Sequence, residues 1–140
     1  MPRKNDPAIR LGRIELQIMK AVWQRSAATV HDVKAALSRG RKKPAYSTIL
    51  TMMRKLENKG YLEHHVDGRT YVYRSTITHR SVRHNMLGDL LDRLFDGSPQ
   101  LLVSSLIEQK RISAKELREI RKLISLHNRT TEPQRTREKE

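Results

Sequence analysis

Apolar side chains recur at three- and four-residue steps in three separate runs through the first sixty residues, and then the pattern changes. Leu11, Ile14, Ile18 and Val22, with Leu16, Met19 and Trp23 one register over, predict an amphipathic helix over about residues 11–25. Ser26-Ala27-Ala28 breaks it. Thr29 stands three residues before Asp32, an acidic form of the capping pattern that opens a helix. Val30, Val33, Ala36 and Leu37 form the buried stripe of a short second helix that ends near Ser38 and is stopped by Gly40. A basic run, Arg39, Arg41, Lys42 and Lys43, leads to Pro44, which disfavours helical backbone at Lys43 and restarts the chain. Ile49, Met52, Met53 and Leu56 then mark the inward face of a third helix from about Tyr46 to Lys59, with Lys59-Gly60 as its stop. Beyond Gly60, two β-prone segments, Tyr61 to Val66 and Arg69 to Arg74, flank Asp67-Gly68, a hairpin signal because a tight turn needs positive φ.

Three helices followed by a two-stranded hairpin is the order of a winged helix-turn-helix. The rest of the chain reads as helical. Val82, Met86, Leu87, Leu90, Leu91, Leu94 and Phe95 make a stripe from about His79 to Phe95, ended by Asp96-Gly97. Ser98-Pro99 opens a second helix carrying Leu101, Leu102, Val103, Leu106 and Ile107. Ser113 and Glu116 form a capping box for a third, with Leu117, Ile120, Leu123, Ile124 and His127 facing inward. Residues 129–140 lack large apolar side chains and alternate in charge sign, the composition of a disordered tail. The predicted fold is therefore mainly α with a small β-hairpin wing: a winged helix-turn-helix over 8–76, a helical region over 77–128 and a tail over 129–140.

Composition adds a partner. The 140 residues hold 29 Lys and Arg against 15 Asp and Glu, a formal charge of +14. Residues 1–76 carry 16 of those cations and 6 of the acids, so most of the excess lies on the predicted winged domain. Such an imbalance favours a polyanion, duplex nucleic acid first and an anionic membrane surface second. The chain has no cysteine, which removes disulfides, thiolate metal sites and cysteine nucleophiles and fits a reducing compartment. No apolar run approaches the roughly 18 residues of a membrane span and no secretory leader is evident, so a cytoplasmic protein without membrane insertion is expected.

The third helix carries the candidate chemistry. A major groove about 12 Å wide admits one helix, whose N-terminal residues meet base edges. Ser47, Thr48 and Thr51 can hydrogen-bond to bases or phosphates, and Leu50 can touch a thymine methyl. Arg54 and Lys55, one turn on, reach for phosphate, as do Lys42 and Lys43 before the helix and Arg69 at the hairpin tip. Hydroxyls on the wet face of a helix are also common where nothing is read. The order of elements, the hairpin and the charge together favour the groove.

Catalytic and metal signatures are missing. The six histidines show no metal-ligand spacing, and His64-His65, adjacent on a strand, point to opposite faces. Asp89, Asp92 and Asp96 read as a solvated helix face. No cofactor and no enzymatic activity are expected. The leucine-rich helices hold more apolar surface than three short helices bury alone. A symmetric pair would cover it through Met86, Leu87, Leu90, Leu91, Leu94, Leu102, Leu106, Leu117, Ile120 and Ile124, and a twofold dimer suits a palindromic site. The competing reading is an architectural or adaptor protein using the winged domain for nonspecific nucleic acid. Against it stands the uncharged start of the third helix, where an electrostatic binder gains more from Lys and Arg.

The chain resembles the BlaI/MecI-type penicillinase repressors over about residues 10–127. The resemblance is carried by Leu16 to Trp23, by Thr29-Val30-His31-Asp32-Val33, by Ala45 to Leu56 with Glu57 to Leu62 closing the helix, and by Gly68 to Tyr73. It implies a homodimeric repressor on an operator dyad, with groove-reading positions at Ser47, Thr48, Leu50 and Thr51. Some members have basic residues where this chain has Ser47 and Leu50, which implies a different operator sequence. The family's induction runs through a membrane sensor protease and cleavage in the C-terminal half. The family's Asn-Phe scissile pair falls on Ser105-Leu106, a departure from its pattern. The cysteine cluster of the copper-responsive branch has no counterpart here.

Overall fold

Two turns of buried side chains on α1 (Arg13–Arg25) form the floor on which the N-terminal half is built: Ile18, Met19 and Val22 have no exposed surface. The computed structural model describes residues 8–40 and 43–139, of which 130–139 are described by backbone alone. The chain forms two compact units that meet at Leu90–Leu91. The first therefore extends past residue 76 and includes most of the fourth helix.

Local chemistry sets the helix ends. At the start of α1 the Glu15 carboxylate accepts the Gly12 N–H at 3.0 Å and the Lys59 ammonium at 3.1 Å. Burial raises the Glu15 pKa, but these two partners, aided by the field of Lys55, outweigh it and hold the carboxyl below its ordinary 4.5. Helix α2 (Val30–Leu37) has the complete box read from the sequence: the Asp32 N–H donates to Thr29 Oγ1 at 3.1 Å, and the Thr29 N–H to Asp32 Oδ2 at 3.0 Å. Helix α3 (Tyr46–Asn58) buries Ile49, Met53 and Leu56 completely. It stops in a Schellman turn: Gly60 takes φ +86°, Tyr61 N–H reaches Leu56 O and Gly60 N–H reaches Glu57 O.

Strands β1 (Leu62–Asp67) and β2 (Thr70–Ser75) pair antiparallel from Leu62↔Ser75 to Asp67↔Thr70. The turn is one residue later than the sequence suggested. Asp67 belongs to the ladder, and the two loop residues are Gly68 at φ +64° and Arg69, with positive φ at the first position only. A II′ turn of this kind needs glycine first and accepts an ordinary residue second.

The Ser26–Ala28 segment does more than end a helix. Ser26 at φ +68° turns the chain so that Ala28 exchanges both backbone hydrogen bonds with Tyr73, at 2.9 and 2.8 Å. That bridge anchors β2 against the core, where Tyr73 is wholly buried. The Trp23 indole N–H donates to Ser75 Oγ and to Ile77 O, and its ring stacks on His79 at 4.5 Å. The exit of β2 and the first turn of α4 (His79–Leu94) are thus held to α1. Val82 of α4 is buried, and Asn85 Oδ1 accepts the Ile9 N–H.

In the second unit, α4 ends in a turn where Asp96 and Gly97 both take positive φ and Gly97 N–H reaches back to Leu91 O. Helix α5 (Pro99–Glu108) is capped by Ser98 Oγ on the Leu101 N–H, with Pro99 at its first position. Helix α6 (Ala114–Lys139) opens with the reciprocal Ser113–Glu116 box. Its helical backbone continues to Lys139, through most of the segment over 129–140 that reads from the sequence as a tail. Glu132, Gln134, Arg135, Arg137, Glu138 and Lys139 favour helix, whereas Pro133, with no N–H, supplies no hydrogen bond to the preceding turn.

The Thr29 N–H bond, stronger than the opposing effect of burial, holds the Asp32 pKa below 3.8, with help from the Thr29 hydroxyl, Arg25 and His31. Its stabilisation is present above that value and disappears as pH falls through the depressed native pKa. Asp32→Asn is expected to cost about 0.3–1 kcal/mol at neutral pH, small because the carboxylate is partly screened by water, and nothing in strong acid. Urea unfolding at both pH values checks this; a cost that persists in acid would assign the effect to shape and not charge.

Candidate nucleic-acid interface

The stripe that buries α3 also decides what its other side offers. With Ile49, Met53 and Leu56 turned inward, Ser47, Thr48, Thr51, Arg54, Lys55 and Asn58 are all exposed. The N-terminal half of this surface is hydroxyl and the C-terminal half cationic. The first turn holds no acidic residue, so nothing offsets the partial positive charge of the helix N-terminus. The single acid of α3, Glu57, is turned toward β1, where His64 Nδ1 meets its two carboxylate oxygens at 2.8 and 2.6 Å.

Two of the sequence-predicted positions behave differently from expectation. Leu50 is half-buried and packs against the core, so it sits at the margin of the exposed surface and not within it. Thr51 Oγ1 donates its proton to Ser47 O at 2.9 Å, one turn back. Its hydroxyl therefore presents lone pairs and a methyl but no free proton, and phosphate oxygens, being acceptors, cannot use it. What suits it is an amino group of adenine or cytosine, or a thymine methyl.

The cations flank this helix on two sides. Lys43 is exposed just before Pro44, whose carbonyl accepts the Lys34 ammonium at 3.4 Å, tying the loop to α2. Lys42 lies outside the described residues. Arg69 is exposed in the hairpin turn. Among the described residues no group of His, Cys, Asp and Glu could hold a metal ion. No helix among them is long and apolar enough to cross a membrane.

Sequence reasoning missed the residues behind this surface. Glu57, His64 and Tyr71 form a chain of contacts from α3 across the hairpin, the His64 and Tyr71 rings stacking at 4.2 Å. The signal available was modest: in the observed register Tyr73 pairs with His64 and Tyr71 with Val66, two residues nearer the turn, so His64, Tyr71 and Tyr73 share one face of the hairpin. The candidate cleavage pair, Ser105 and Leu106, is half-buried in the third turn of α5, with Ser105 Oγ donating to Leu101 O.

A helix-turn-helix whose third helix is buried on one side and hydroxyl-rich on the other, followed by a hairpin with a basic tip, defines a winged-helix module of the kind that reads duplex DNA. The chain belongs to the penicillinase repressor family, whose profile matches residues 11–126. It is 31% identical over 115 residues to the penicillinase repressor of Bacillus licheniformis, covering 81% of this chain and 88% of that one. It is 20% identical over 111 residues to the methicillin resistance regulatory protein MecI of Staphylococcus aureus (strain N315), covering 79% and 89%. Among solved structures it resembles monomeric Bacillus licheniformis BlaI in complex with the blaP half-operator, at 33% identity, with 52% of this chain and 88% of that one covered and a TM-score of 0.45. The family is one of repressors and not an enzyme class.

Thr51→Val keeps the methyl and removes the hydroxyl. It is expected to leave affinity for random-sequence duplex unchanged while altering base preference, measured by fluorescence anisotropy and by selection from a randomised pool. A loss on random duplex worth about 0.5–1.5 kcal/mol, the net value of one hydrogen bond, would show instead that the hydroxyl reaches the backbone.

Proposed function

We propose that this protein is a homodimeric transcriptional repressor that lays α3 in the major groove of an operator dyad and sets the hairpin on the flanking backbone. The observation that carries the reading is the division of α3: a fully buried stripe backing an exposed row that begins with Ser47 and Thr48 and ends with Arg54 and Lys55. Hydroxyls discriminate between base edges, and cations hold phosphate without regard to sequence. Lys43 and Arg69 extend the phosphate track on either side, with Lys42, outside the described residues, assigned to phosphate as well, and Leu50 supports α3 from its margin.

The second copy follows from the second unit. No described side chain between Leu91 and Arg129 is buried, while Leu94 is 67% exposed, Leu123 65% and Ile124 55%. Leu87 and Leu90 continue the open stripe of α4, Ile120 is exposed as well, and Met86, Leu91, Leu102, Leu106 and Leu117 are only partly buried. A globular chain rarely leaves so much contiguous apolar surface to water. A twofold pairing of residues 77–128 covers it and links two reading heads, so each half-site gains from the other's binding. Relief would come from whatever breaks that link, including a sensor protease acting on the C-terminal half. With Ser105–Leu106 inside α5, cleavage there requires that helix to open locally first, which its lack of buried side chains makes inexpensive. The protein acts in the cytoplasm, without cofactor and without catalysis.

Selection from genomic fragments is expected to return a single dyad, bound at least about a thousandfold more tightly than random DNA. Thr48→Ala should cost about 1–3 kcal/mol on that dyad and nothing on random duplex. Sedimentation at micromolar concentration should give a dimer, and Leu94→Glu or Leu123→Glu a monomer with weakened dyad binding. No enriched motif, or equal losses on both DNAs for Thr48→Ala, would overturn the reading.

A further inference from the structure

The hairpin is a lever. Its base is fixed by the Ala28–Tyr73 bridge and the burial of Tyr73, but everything from Val66 to Tyr71 is exposed. Four residues separate Tyr73 from Arg69, a reach of about 13 Å at strand spacing. A tilt of about 10° at the base would move the tip by about 2 Å, several times the range over which a hydrogen bond keeps its strength. Two-stranded hairpins are only marginally stable by themselves, so something must hold this one at a defined angle if its tip is to meet a phosphate reliably.

We infer that Glu57, His64 and Tyr71 are that brace, positioning residues that set the hairpin tip relative to α3. The inference rests on the DNA-binding reading above. Glu57 lies in the last turn of α3, directly after the buried Leu56, so its backbone is anchored to the core. His64 Nδ1 reaches both of its oxygens, at 2.8 and 2.6 Å. A carboxylate only accepts, so Nδ1 carries the proton and donates. The imidazole in turn stacks on Tyr71, with centroids 4.2 Å apart and planes within 9°, and tilts against Tyr73 at 5.5 Å. The chain of contacts runs from α3 through β1 to β2 and ends two residues from Arg69.

A purely stabilising role accounts poorly for this arrangement. The His64 and Glu57 side chains are 27% and 28% exposed, and partly hydrated pairs of this kind contribute little to folding. What the pair does supply is direction: it joins the one element whose position the groove determines to the one whose tip must reach the backbone. It also occupies the only carboxylate of α3, which otherwise would face the incoming phosphates.

The test uses the full-length protein and a short random-sequence duplex, followed by fluorescence anisotropy across a salt series. Arg69→Ala is expected to lower the magnitude of the log affinity against log salt slope by about 0.9, one phosphate. His64→Ala and Glu57→Ala should do the same with Arg69 intact, and His64→Ala combined with Arg69→Ala should lose no more than either alone. His64→Asn, whose amide N–H lies near the position of Nδ1, should restore the slope, which a generally loosened fold would not. Thermal midpoints of the single variants should stay close to that of the parent. A parent slope retained by His64→Ala while Arg69→Ala loses its phosphate would overturn the brace alone. So would a double variant that loses twice as much, or an Arg69→Ala variant with no change at all. If the parent protein itself shows no salt-dependent duplex binding, the DNA-binding reading falls and the brace falls with it.

Discussion

Burial of one stripe of α3, Ile49, Met53 and Leu56, against α1, α2 and the hairpin is the constraint from which the rest of the first unit follows. A helix of this length can face the core on only one side, so fixing that stripe fixes which residues look outward and at what angle. It places the hydroxyls ahead of the cations along the open side. It pins Glu57 at the helix end, and through the Schellman turn at Gly60 it sends the chain directly into β1. Loosening the stripe would therefore disturb reading side, exit turn and hairpin together.

Three acids of this unit are paired within it. Glu15 is held by Lys59, Asp32 by Arg25 and Glu57 by His64. Each pair also performs a local task, closing a helix start or bracing an element end. Among the described residues, Lys20, Arg39, Lys43, Arg54, Lys55, Arg69 and Arg74 are exposed, which gives the unit a positive exterior. Such a surface raises encounter rates with any duplex.

The two units have opposite deficits. The first is complete as a core, with Trp23 and Tyr73 closing it from the hairpin side. The second has well-formed helices whose caps are satisfied, yet none of its described side chains is buried. Secondary structure without burial is inexpensive to open.

Helix and hairpin identities were legible from the sequence because their determinants act within a turn or two of backbone. Thr29 with Asp32, Ser98 with Pro99, Ser113 with Glu116 and the glycine after Lys59 each work on neighbours a few residues away, and the periodic stripes name the buried faces of α1, α2 and α3, whereas the stripes of α5 and α6, read as inward-facing, have no buried side chain among the described residues. The hydroxyl and cationic side of α3 was readable for the same reason. Only the tertiary structure decided the rest. Ala28 pairs with Tyr73 across 45 positions of chain, Trp23 caps the exit of β2, and His64 finds Glu57 through the packing of a strand on a helix end. Leu50 packs at the margin of the core, and the hairpin turn falls on Gly68-Arg69, one residue later than Asp67-Gly68, because pairing takes Asp67 into the ladder. Short-range propensity is written in adjacent residues, whereas these contacts exist only after the hydrophobic core has brought distant segments within a few ångströms of each other.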